Sequence, residues 1–262
     1  NDFFKRKYVI KDLVNNPLTL SSSNSINRLT ISTSIIGKLY RKFNRYLPKN
    51  CRFYYRERKK FLFDSQVFKI KKDSFFDGYW QNHNYFKDIV DELRDEIQQV
   101  NENKNIKIIE LLNKQNSVAV HMRYPHAFAN GKVHKQTEEH FHSLDFNYFK
   151  TAIYKMKSLI HNPDFYLFSD NIEWAKKQIN NASLGIKYQF IDSGNAMSDF
   201  HLMRQCNHFV ISNSTFSWWA AFLANKPSKQ VISPKNWIKK VDFVDIDFFP
   251  KDWHLINNKS DV

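Results

Sequence analysis

Short apolar runs alternate with helical periodicity through the second half of the chain. Residues 118–122, 165–168, 187–191, 208–212 and 230–232 are compact, mostly apolar stretches bounded by polar or turn residues. Runs of that length read as strands. Between them, Asp145 is placed to cap a helix running to about residue 160. Ser169 and Asp170 are placed to cap a second over 172–179, and a third is expected over 199–206. A further helix opens at the Asn-Ser-Thr-Phe-Ser run, 213–217. Strands alternating with helices of this length imply an α/β fold with a parallel, doubly wound sheet.

The first half is less regular. Turn residues at 15–17 and 21–25 follow a short strand expected at 8–10. Residues 36–50 read as a basic helix or loop stopped near Pro48, and 61–70 as holding an extended segment. A strand and turn are expected over 75–80. Phe86, Ile89, Val90, Leu93, Ile97 and Val100 then recur at helical spacing. The polar break at 101–105, followed by a helical turn over 106–112, sets the expected boundary between a domain at 1–112 and another at 113–262.

Composition adds one asymmetry. Of a net charge of +14, residues 36–72 supply eleven: thirteen Lys and Arg stand against only Glu57 and Asp64. Six aromatic residues, Tyr40 to Tyr55, are interleaved with them. Such a segment fits an anionic membrane, an acidic glycan, nucleic acid or simply a solvated basic face. No helix-turn-helix, zinc-finger or RNA-binding signature accompanies it, which argues against nucleic acid. Peripheral contact with an anionic membrane through residues 36–72 stays open beside an acidic glycan and a solvated basic face. Cys51 and Cys206 form no metal or redox motif, and no apolar run reaches the ~20 residues that span a bilayer. A cytoplasmic protein, peripheral at the inner face of a bacterial membrane, is expected. The chain begins at Asn1 rather than Met, as a trimmed chain would.

Ligands of open parallel sheets sit beyond the C-terminal ends of the strands. His121 and Arg123 stand at such an end. The planar fork of arginine suits a pyrophosphate, and His121 can read a base or a hydroxyl; a satisfied core histidine and a surface arginine are the plain alternative. Asp199 is either a helix cap or an acceptor for the paired donors of guanine. Asn213, Ser214, Thr215, Ser217 and Trp218 open a helix whose free amides suit phosphate, or else belong to a capped helix with two core tryptophans. The loop at 124–144 holds His126, His134, Glu138, Glu139, His140 and His142 in no known zinc spacing. It can instead supply a general base, with His126, His134, Glu138 and Glu139 the candidates and His126 and Glu138 put first.

The order of residues carries a family resemblance. DFHLMRQCNHFVISNSTFSWWAAFLANKPSKQVISPKNW, 199–237, resembles the signature region of glycosyltransferase family 11, the bacterial and animal α-1,2-fucosyltransferases. FFDGYWQNHNYFKDI, VAVHMR, FYLFSDNIEWAKKQI and DFFPKDWHLI are similar to further segments of that family and occur in the same order, from about Phe75 to Ile256. The resemblance implies a GT-B-like pair of Rossmann-like domains, the N-terminal one incomplete here and facing the acceptor. It implies GDP-fucose as donor, bound mainly by 113–262, inversion at the anomeric carbon, a galactose-type acceptor in a surface glycan, and no required metal or other cofactor. Arg123 matches the arginine on the donor pyrophosphate. His121 and Asp199 match guanine contacts, Ser214, Thr215 and Ser217 the hydroxyl run near the phosphates, and Asp170 the aspartate of F-S-D. The family's H-x-R-R-x-D is replaced by His121-Met122-Arg123-Tyr124-Pro125-His126, and its Gly-rich G-G-L-G-N-Q loop is absent from this chain. A related GDP-sugar transferase with another donor or linkage, and a non-catalytic nucleotide- or glycan-binding remnant, are the alternatives.

Overall fold

The computed structural model describes residues 35–57, 61–97, 106–124, 144–239 and 247–258, with positions 14, 15, 19, 21, 22, 26 and 241. By contacts the chain forms two units, Asn1–Val90 with Asp245–Pro250, and Asp91–Val244 with Lys251–Val262.

Three polar side chains organise the first unit. Helix α1 (Ile35–Asn44) ends at Asn44, whose amide donates to Tyr54 O at 2.7 Å and whose carbonyl accepts from Phe53 N at 3.1 Å. These bonds set the entry into β1 (Tyr54–Arg56), which pairs in parallel with β2 (Phe75–Asp77). Asp64 accepts from Gln66 N at 3.1 Å and from the Tyr55 hydroxyl at 2.7 Å. That cap starts a 3-10 turn over Ser65–Lys69, so the extended segment expected at 61–70 is replaced by a turn that a local side chain drives. Asn82 donates to Phe61 O and to Asp247 O at 2.7 and 2.8 Å. This buried amide ties the late segment 247–250 to its unit.

The helix expected over 86–100 is shorter. Two 3-10 turns, His83–Tyr85 and Lys87–Ile89, lead into α2 (Val90–Glu96). Asn82 starts them by accepting from Asn84 N at 3.0 Å. After α3 (Ile106–Leu112) the chain enters the large sheet. Leu112 is fully buried, the Ser117 hydroxyl donates to Leu112 O at 2.5 Å, and the Tyr166 hydroxyl to Leu111 O at 3.3 Å. These contacts hold α3 against the sheet, and the 112–113 boundary expected from the polar break at 101–105 falls inside the second unit.

The second unit alternates strand and helix. β3 (Ser117–Met122), α4 (Phe146–Leu159), β4 (Asp164–Ser169), α5 (Ile172–Ala182) and β5 (Lys187–Phe190) come first. They are followed by α6 (Ala196–Gln205), β6 (His208–Val210), α7 (Thr215–Leu223), β7 (Val231–Pro234) and β8 (His254–Ile256). The strands form one sheet in the order β5-β4-β3-β6-β7-β8, with every neighbouring pair parallel. The parallel α/β architecture read from the sequence is therefore present, with β8 a strand the apolar pattern did not signal. All of β3 is buried, as a central strand covered on both faces requires. Val118, Val120 and Met122 pack with Phe149, Ile153 and Met156 of α4 and Ala175 and Ile179 of α5. The chain builds β3, β4 and β5 outward on one side, then returns to lay β6, β7 and β8 on the other. The switch point thus falls between β3 and β6.

Candidate functional site

The strand ends at the switch point are pinned to each other. His121 Nδ1, on β3, lies 2.8 Å from Ser212 Oγ, just past β6. From α4, the buried Tyr148 hydroxyl donates to Ile211 O at 2.6 Å and fixes the same turn. His121 is 5% exposed. Burial, with the charge of Arg123 adding to it, holds its pKa down to about 3. The imidazole is therefore neutral at pH 7, and Phe216 covers it at a ring separation of 5.5 Å. His121 fits the satisfied-histidine alternative and at the same time stands at the base of the switch point.

Arg123 follows β3 and is partly exposed. Its Nε lies 3.1 Å from Asp170 Oδ2, and Asp170 Oδ1 accepts from Tyr124 N at 2.7 Å. One carboxylate thus holds both the guanidinium and the backbone beside it. The expectation that Ser169 and Asp170 cap the next helix is corrected. Asn171 caps α5, accepting from Trp174 N at 3.0 Å, while the Ser169 hydroxyl donates to Met122 O at 2.7 Å. Because Asn171 takes the cap, Asp170 is available to Arg123. Tyr124 packs edge-on against Trp174, with ring centroids 5.4 Å apart.

The hydroxyl run divides into two groups. Ser214 occupies the N-cap position of α7, yet its side chain accepts no first-turn amide. The equivalent side chains of α4, α5 and α6, Asp145, Asn171 and Asn195, all do. The first amides of α7 therefore make no bond to the cap side chain at the C-terminal end of β6, where backbone donors and the helix dipole favour an anion. Thr215 is exposed and Asn213 and Ser214 are half-buried; Asn213 donates to Trp237 O at 3.3 Å. Ser217 and Trp218 are placed differently from the expectation. Both are buried. The Ser217 hydroxyl donates to Ser214 O at 3.2 Å, and Trp218 packs among Trp219, Phe222 and Trp253. Helical geometry turns those two positions inward, and they serve the core.

Asp199 is likewise not a helix start. Asn195 caps α6, accepting from Met197 N and Ser198 N, and Asp199 sits in the first turn. It accepts from Ser193 N at 3.0 Å, and burial pushes its pKa up. The next residue, Phe200, meets Phe216 edge-on at 5.5 Å, so the start of α6 lies against the start of α7. The structure brings His121, Arg123, Asp170, Ser212 and the α7 opening to neighbouring strand ends. Asp170 gained its role only from these bonds; its place directly after an apolar strand was the available signal. Tyr148 had none beyond its helical spacing. His126, Glu138 and the rest of the histidine-rich loop lie outside the described residues. Among the described residues no three His, Cys, Asp or Glu side chains cluster in a way that would hold a metal.

Comparison with known proteins places this arrangement in a wider set. The family model for glycosyl transferase family 11 matches residues 24–257. The alpha-1,2-colitosyltransferase of Escherichia coli is 32% identical over 183 residues, 68% of this chain and 61% of that protein. The O-antigen biosynthesis glycosyltransferase WbnK of Escherichia coli is 27% identical over 223 residues, 80% of this chain and 67% of that one. Galactoside 2-alpha-L-fucosyltransferase SEC1 of Bos taurus is 35% identical over 81 residues, 30% of this chain and 22% of that one. The matched region thus spans less than two thirds of the colitosyltransferase.

Proposed function

Because the chain belongs to glycosyltransferase family 11, we propose that it transfers fucose from GDP-fucose to a galactose-type hydroxyl of a surface glycan, in α-1,2 linkage. The transfer inverts the anomeric carbon and uses no metal. The observation that carries this reading is Arg123, held by Asp170 at the C-terminal end of β3, next to the switch point where α7 opens without a side-chain cap. In the reaction the acceptor oxygen bonds to the anomeric carbon as the bond to GDP breaks. Negative charge grows on the departing diphosphate. A guanidinium fixed before the reaction stabilises that charge more than it stabilises the bound donor. The α7 amides offer donors to the same phosphates, and Asp199, in the first turn of the adjoining α6, is assigned to the guanine edge. The acceptor proton passes to a base, for which His126 and Glu138 are the candidates.

A second donor is favoured by two observations. One relative is an alpha-1,2-colitosyltransferase, and colitose is fucose without its 3-hydroxyl. Tyr124 stands where the H-x-R-R-x-D pattern has its second arginine, and its ring packs on Trp174. An aromatic side chain there suits a sugar with one fewer hydroxyl. Product analysis with GDP-fucose and GDP-colitose against a panel of galactosides tests both. An α-1,2-linked fucosyl product supports the first reading, and product from GDP-colitose alone selects the second. A folded chain that transfers neither sugar overturns both.

A further inference from the structure

We propose that α1 and the turn after it form a face that lies on an anionic lipid bilayer, with the apolar stripe of the helix inserted among the headgroups. The proposal does not depend on the donor assignment.

The rotation of α1 is fixed from one side. Asn44 is 3% exposed and bonded to Phe53 and Tyr54. Tyr40 stacks on Phe53 with centroids 4.5 Å apart. The opposite side carries Ile35, Leu39, Phe43 and Tyr46, exposed by 77%, 62%, 58% and 78%. Projected at about 100° per residue, Ile35, Leu39 and Phe43 fall within an arc of about 80°, and Tyr46 follows in the turn after the helix, where its N–H donates to Phe43 O at 2.9 Å. Lys38, Lys42 and Arg45 are exposed along one border of that arc. Between Ile35 and Arg56 the chain carries seven Lys and Arg and no Asp or Glu. Arg52 holds the following turn, donating to Leu47 O at 3.1 Å and Arg45 O at 3.0 Å.

A solvated basic face accounts for the lysines but not for four large apolar side chains in one row. A protein partner would match the apolar row, but the cores of protein interfaces are depleted in lysine and use charges of both signs to set register. A row of apolar and aromatic residues whose charged border is wholly cationic is the pattern of a helix lying in the plane of a membrane surface. The lysine stems reach past the apolar row to the headgroups, and anionic lipid supplies the complementary charge.

The test is co-sedimentation of the whole chain with vesicles of phosphatidylcholine alone and of phosphatidylcholine with phosphatidylglycerol, at low and high salt. Binding is expected only with the anionic vesicles and weaker in high salt. Replacing Leu39 and Phe43 together by glutamate is expected to weaken it about tenfold or more. All these positions are exposed, so unchanged thermal unfolding is the control for folding; Ile35→Glu with Tyr46→Glu is the second variant pair. No binding to anionic vesicles overturns the proposal. So does binding that the apolar replacements leave unchanged, which would be adsorption by charge alone. A dimer that becomes a monomer on Leu39→Glu and Phe43→Glu, with no vesicle binding, overturns it in favour of a second copy.

Discussion

Arg123 is a surface arginine by exposure and a held one by its bonds. Exposed ion pairs contribute about 0–1 kcal/mol, so the Arg123–Asp170 pair, with side chains 42% and 29% exposed, adds little to folding. Its effect is on orientation. Arg123→Ala is expected to lower turnover with the active donor by about a hundredfold or more, with unfolding free energy changed by less than ~1 kcal/mol. Asp170→Asn keeps the shape of the side chain and the acceptor for Tyr124 N but removes the negative charge that faces Arg123. It is expected to reduce turnover by about tenfold, less than the loss of Arg123 itself. Steady-state kinetics beside thermal melts check both. Full activity in Arg123→Ala, or a large loss of stability in Asp170→Asn, would contradict the roles given to the two residues.

Helix α7 is polarised at both ends. Its opening has no side-chain cap, whereas its end is held by cations. Lys229 Nζ donates to Ala221 O, Phe222 O and Ala224 O at 2.7, 3.1 and 2.9 Å, and Arg94 Nε to Leu223 O at 3.1 Å. Burial, with Arg94 adding to it, pushes the Lys229 pKa down to about 8. Lys229→Met is expected to destabilise the chain by about 1–3 kcal/mol, read as a lower denaturant midpoint; an unchanged midpoint would contradict this account. The strands of this region were legible because apolar runs separated by helical periods have one economical arrangement, a parallel sheet. Arg123 and the 213–217 run were legible because they follow such strands. Side-chain competition was not legible: whether Asp170 or Asn171 caps α5, or Asp199 or Asn195 begins α6, depends on bonds to Tyr124 and Ser193. Ser217 and Trp218 were read with the exposed run because a run of hydroxyls reads as one surface, while α7 is buried along most of its length, at Ser217, Trp218, Ala220, Ala221, Phe222 and Leu223. The early segments were least legible because Asp64 and Asn82 impose 3-10 turns that apolar spacing does not record.

For the whole molecule, three histidines in the second unit are held neutral chiefly by burial. The pKa of His121 is held down to about 3, that of His201 to about 4, and that of His208 is lowered as well. His208 Nδ1 accepts from Gln230 N, which leaves Nε2 to donate to Gln115 O. A histidine whose folded pKa lies below its unfolded value of 6.5 binds more protons when unfolded. The associated stability is present above about pH 6.5 and is lost as pH falls toward 4, with a limiting slope of about 1.4 kcal/mol per pH unit for each group. Melting followed from pH 7 to 4 is expected to show that decline, with a shallower slope in His121→Gln. A flat profile over that range would contradict neutral burial.

We propose that the ends of β3 and β6, with Arg123 and the opening of α7, receive a guanine nucleotide diphosphate. The most direct measurement is thermal unfolding with GDP, UDP or ADP, for the chain and for its Arg123→Ala variant. The account predicts stabilisation by GDP that exceeds that by the other two and shrinks in the variant. Equal stabilisation by all three nucleotides, or a GDP effect unchanged by Arg123→Ala, would contradict it.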